Sequence, residues 1–119
     1  MKDNILHEKS LLYAVRIVKF YSFLRDNKGE YVISKQILRS GTSIGANVRE
    51  SKNAESDSDF IHKLSIALKE ADETQYWLEL LSMSGMIDET EFNSMNDDVK
   101  ELIALLTSII NRMKKDKNK

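Results

Sequence analysis

The sequence predicts an all-α domain, a bundle of four antiparallel helices. Three observations carry that prediction. Helix breakers are scarce: in 119 residues there is no proline, and glycine occurs only at positions 29, 41, 45 and 85. Two heptad seams run through the second half of the chain, and turn and cap signals divide the whole into stretches of about 3–26, 33–55, 57–83 and 89–114. Heptad seams of this kind are the pattern of helices packed nearly antiparallel in a bundle.

The first stretch is helical but apolar on more than one side. Leu11, Ala14, Val15, Val18 and Tyr21 form one stripe, while Leu12, Ile17, Phe20, Phe23 and Leu24 spread beyond it. Only a strip at Lys9, Arg16 and Lys19 is clearly polar. Such a helix either lies deep in the bundle or turns its second apolar side to another subunit. Asn27, Lys28 and Gly29 make the turn that follows.

In the second stretch Ile33, Ile37, Gly41, Ile44 and Val48 keep helical spacing. Ser40-Gly41-Thr42-Ser43 and Gly45-Ala46 interrupt it with poor helix formers, costing up to about 1 kcal/mol each against alanine. A continuous helix is expected here, its small residues admitting a neighbouring backbone. A phosphate cradle is the weaker reading, because a Walker loop needs a lysine and a preceding strand.

The third and fourth stretches are the most regular. Phe60, Leu64, Ala67, Ala71, Thr74, Leu78 and Leu81 alternate steps of four and three, as do Phe92, Met95, Val99, Leu102, Leu106, Ile109 and Met113. Ser56 precedes Asp59 by three residues and Asp88 precedes Glu91 by three, so each can cap its helix with acidic support. Gly85 is placed to end the third helix.

Two segments, Ile37-Leu38-Arg39-Ser40-Gly41-Thr42-Ser43-Ile44-Gly45-Ala46-Asn47-Val48-Arg49-Glu50 and Asp59-Phe60-Ile61-His62-Lys63-Leu64-Ser65-Ile66-Ala67-Leu68-Lys69-Glu70-Ala71, carry a recognisable signature, continued by Glu73-Thr74 and Tyr76-Trp77-Leu78. Together they resemble the four-helix-bundle proteins encoded in intervening sequences of bacterial 23S ribosomal RNA genes. The accessory variability proteins of diversity-generating retroelements are grouped with that family. The resemblance covers nearly the whole chain and implies an up-down-up-down bundle that assembles as a ring-like homopentamer. The retroelement members bind nucleic acid and a reverse transcriptase through a strongly basic surface. This chain departs from them, with a net charge of −1.

That charge is unevenly placed. Residues 1–56 hold 10 Lys/Arg against 6 Asp/Glu, residues 57–111 hold 3 against 12, and residues 112–119 hold 5 against 1. A uniformly basic nucleic-acid binder is excluded, but basic strips are not. Without cysteine there is no disulfide, thiolate metal site or thiol nucleophile. Residues 1–10 contain no apolar run of signal-peptide length, and no segment reaches the ~20 apolar residues of a membrane span, so a cytoplasmic protein without membrane attachment is expected.

No constellation of residues suggests catalysis or a cofactor. Asp59 and His62 lie one turn apart, as half of a di-iron site would, but the remaining ligands are missing. Arg39, Ser43, Asn47, Arg49 and Glu50 are the polar members of the signature, expected to pair across helix or subunit interfaces. Trp77 and Tyr76 are expected in the core or at an interface. Lys9, Arg16 and Lys19, with the tail residues Arg112, Lys114, Lys115, Lys117 and Lys119, are the candidate nucleic-acid contacts. The expected function is a non-enzymatic homo-oligomeric scaffold or adaptor, its first partner a second copy of itself. The alternative is an accessory protein gripping RNA or DNA phosphates, with a nucleic-acid enzyme as a further partner.

Overall fold

The computed structural model describes residues 2–117, with side-chain surroundings for residues 4–116. Four helices follow one another: α1 (Lys2–Lys28), α2 (Ile33–Ser51), α3 (Asp57–Met83) and α4 (Glu89–Lys117). Each packs on its neighbours in sequence and α1 closes the bundle on α4, while the diagonal pairs make no close backbone approach. The result is an antiparallel four-helix bundle drawn out to 51 × 22 × 21 Å.

Both heptad seams point inward. Leu64, Ala67, Ala71, Thr74, Leu78 and Leu81 are buried, and Met95, Val99, Leu102, Leu106 and Ile109 meet them from α4. Ser56 caps α3, its hydroxyl accepting from the Asp59 amide at 3.0 Å. Asp88 and Glu91 form a reciprocal box at the start of α4, with bonds of 2.7 and 2.8 Å. Gly85 takes a positive φ of 79° after α3, and the Met86 amide reaches back to the Leu81 carbonyl at 2.9 Å.

α2 is continuous through both glycines because α1 crosses there. A β-carbon at position 41 would lie 2.6 Å from Ile17 Cγ1, and one at position 45 would lie 3.1 Å from the Ser10 carbonyl oxygen. Three boundaries differ from the sequence reading. α2 stops at Ser51 instead of reaching 55, because the Lys52, Asn53 and Ala54 amides fold back onto carbonyls three residues earlier. α1 extends to Lys28, and α4 continues to Lys117, so most of the expected basic tail is helical. The side chains of Lys117 and Lys119 lie outside the described residues.

The start of α2 had no sequence signal. Val32, before α2, offers no capping side chain. Glu30 does the work instead, its carboxylate accepting from the amides of Val32, Ile33 and Ser34 at 3.2, 3.0 and 2.6 Å. A carboxylate suits the positive end of the helix dipole.

Candidate functional site

Of the polar signature residues on α2, Arg39 and Glu50 reach across to α3. On α2, Gln36, Ser43 and Glu50 recur every seven residues; on α3, Lys63, Glu70 and Trp77 do the same beside the buried seam. Glu50 pairs with Lys63 at 3.1 Å, Arg39 reaches Glu73 at 3.5 Å, and Thr74 donates to Ser40 at 2.9 Å in the core. These pairs share one antiparallel register, as positions flanking a coiled-coil seam do. Arg39 and Glu50 thus find partners on α3 and not each other. Ser43 and Asn47 bond within α2, to the carbonyls of Arg39 and Ser43. Arg49 is exposed on the α1 side, beside a groove of about 250 Å³ lined also by His7, Leu11, Thr42 and Gly45.

Glu70 is the least comfortable member of this seam. One carboxylate oxygen is inaccessible and has no hydrogen-bond partner. Burial raises its pKa above the usual carboxylate value, and Glu73 adds to the effect against the pull of Arg39. Trp77 lies half-buried, its indole N–H donating to Glu73 at 3.3 Å, while Tyr76 beside it is exposed. The exposed ion pairs are each worth about 0–1 kcal/mol, so this seam sets register more than it adds stability.

The candidate basic strip of α1 is drawn into the bundle's own charge pattern. Lys9 binds Glu101 at 2.8 Å, and Arg16 binds Asp98 and, through both guanidinium nitrogens, Ser94. The hydrogen bond to Glu101 and its charge raise the Lys9 pKa. Between these bridges Tyr13 donates to the Met95 carbonyl at 3.0 Å, and burial pushes its phenol well above the ordinary value. Lys19, Arg112, Lys114 and Lys115 remain exposed, Lys19 in the middle of α1 and the others at the far end of α4. The acidic partners on α4 were missed because spacing within one helix says nothing about which neighbour it faces.

The strongest anomaly is apolar. Leu11, Leu12, Val15 and Val18 are 54, 56, 46 and 49% exposed, and Ile5 is 42% exposed. They share the outward side of α1, opposite the buried Leu6, Tyr13, Ile17 and Leu24. The apolar stripe noted in the sequence therefore includes the solvent-facing side of this helix. Among the described residues nothing comparable occurs on the other three helices, where exposed large apolar residues are single: Tyr76 and Met83 on α3, with Tyr31 and Val32 in the first loop.

Among the described residues no three His, Asp or Glu side chains gather as metal ligands would, and no helix is long and apolar enough to cross a membrane. The chain is 58% identical to a protein of unknown function from the S23 ribosomal protein family of Bacteroides thetaiotaomicron, whose crystal structure superposes with a TM-score of 0.92 over 93% of this chain and 99% of that one. No curated protein matches. The profile of the 23S rRNA-intervening sequence proteins matches residues 2–108, most of the bundle. The chain belongs to that family.

Proposed function

We propose that this protein is a non-enzymatic, homo-oligomeric scaffold or adaptor whose bundle completes its burial against copies of itself. The observation that carries the reading is the outward face of α1, where Leu11, Leu12, Val15 and Val18 each keep about half their surface in water. Fully burying such a side chain is worth about 1.5–3 kcal/mol, so covering the exposed halves of four of them adds roughly 3–6 kcal/mol per subunit. Solvent-facing helix positions of a monomer are normally polar. A pentameric ring is the form implied by the resemblance to ring-forming relatives. In a ring each subunit would present the same outer surface many times, so individually weak contacts with a partner would gain avidity.

Native mass spectrometry of the full chain at micromolar concentration tests the proposal, with the pentamer mass as the expected result. Val15→Glu should shift assembly to at least 100-fold higher concentration, because it buries a carboxylate in an apolar contact. Its helix content should stay unchanged, since the side chain faces water in the single subunit. A wild-type monomer, or a Val15→Glu protein that assembles like wild type, would overturn the reading.

A further inference from the structure

The loop between α1 and α2 carries an arrangement that the scaffold reading does not use. The Arg25 guanidinium lies 5.2 Å from the ring centroid of Tyr21 and 5.7 Å from that of Tyr31, and its Nη1 donates to the Tyr21 hydroxyl at 3.1 Å. Tyr21 is one turn back on the same helix face, and Tyr31 arrives from the far side of the loop. The cation is thus held between two rings with most of its five N–H donors unspent.

Charge pairing leaves this arginine open. Lys9, Arg16, Arg39 and Lys63 each meet a carboxylate, whereas Arg25, like Arg49, is in none of the ion pairs among the described residues; what distinguishes Arg25 is the pair of rings around it. Of the two nearest acids in sequence, Asp26 is about 100° further round the helix. Glu30 is engaged by three amides of α2. The adjacent ring of Tyr31 is 55% exposed and Val32 is 73% exposed, which leaves a flat apolar edge beside an open positive charge. Lys28, in the same last turn, adds a second cation, its ammonium lying 5.4 Å from the Phe23 ring centroid.

We infer that the Tyr21–Arg25–Tyr31 cluster is a contact site for single-stranded nucleic acid, taking a phosphate on Arg25 and a stacked base on Tyr31. Ring faces accept any base, and an arginine without a carboxylate partner is free to take a phosphate bidentately. An acidic peptide would satisfy the charge but leave the ring unused. The site lies at the opposite end of the bundle from Lys114 and Lys115, and it does not draw on the paired Lys9 and Arg16.

The test is fluorescence anisotropy of a labelled 20-nucleotide oligo(U) with the full chain at about 50 and 200 mM salt. Wild type should bind at the lower salt and bind the single strand better than a duplex of equal length. Tyr31→Ala should weaken binding about ten-fold at either salt, and Arg25→Gln should weaken it and flatten the salt dependence by about 0.7 in log–log slope. Arg25→Lys should recover only part of the affinity. Absence of wild-type binding at low salt, equal affinity for duplex or for an oligoglutamate of matched charge, or wild-type binding by both variants would overturn the inference. Native mass is read on the same samples. Loss of binding together with loss of the assembled mass would overturn it in favour of a subunit contact, whereas loss of binding by an assembled variant supports it.

Discussion

Replacing Gly41 by alanine separates two effects that normally act together. In an exposed helix interior the change is worth about 1 kcal/mol of added stability. Here the new β-carbon would sit 2.6, 2.7 and 3.0 Å from Cγ1, Cδ1 and Cγ2 of Ile17. Ile17 is fully buried, and two of those atoms are branch atoms that a χ2 rotation cannot remove. Overpacking of this kind costs about 1–3 kcal/mol, so the net expectation for Gly41→Ala is a loss of roughly 0–2 kcal/mol. Removing the obstacle reverses the sign. In an Ile17→Ala background, itself destabilised by about 2–5 kcal/mol, Gly41→Ala should stabilise by up to about 1 kcal/mol. Urea denaturation followed by circular dichroism at 222 nm, at one fixed protein concentration, measures all four corners of the cycle. A wild-type background in which Gly41→Ala gains the full ~1 kcal/mol would refute the close crossing of α1 and α2. So would a cycle with no coupling.

Two further outcomes follow from the same geometry. Glu30→Ala removes the carboxylate that serves three amides of α2 and should cost about 1–2 kcal/mol in the same denaturation assay, whereas an ordinary exposed glutamate would cost almost nothing. Glu70→Gln should raise the thermal midpoint at pH 7 and lose that advantage below about pH 4.5. The folded-state pKa of Glu70 is raised, so its unfavourable ionisation sets in as pH rises through that value, and the wild type is relieved of it below the unfolded value of 4.5. Paired melting curves at pH 4 and pH 7 read the difference directly, and an equal shift at both values would count against the burial of this carboxylate.

The sequence by itself determined the helical class, the four elements and the inward faces of α3 and α4. It could do so because heptad spacing, cap pairs and absent prolines act within one helix, over separations of three to seven residues. Ser56, Asp88 and Gly85 terminate their helices through bonds to residues no more than five positions away, so their roles were readable in line. Glu30 escaped notice although it is equally local, because it caps from two residues before a valine that occupies the usual capping position.

Only the tertiary structure decided where the remaining groups meet. The seven-residue rows of α2 and α3 existed in the sequence, but their register appears only when Glu50 lies against Lys63 and Arg39 against Glu73. Lys9 and Arg16 read as an open basic strip until α4 supplied Glu101 and Asp98 from more than 80 residues away. The first helix shows the limit most clearly. Apolar residues on nearly every side cannot say which side is inward. The crossing of α2 at Gly41 and Gly45 turns Ile17 and Ser10 into the core and leaves Leu11, Leu12, Val15 and Val18 facing out. Periodicity records that a face is apolar, whereas the choice of what covers it is made by packing between distant parts of the chain.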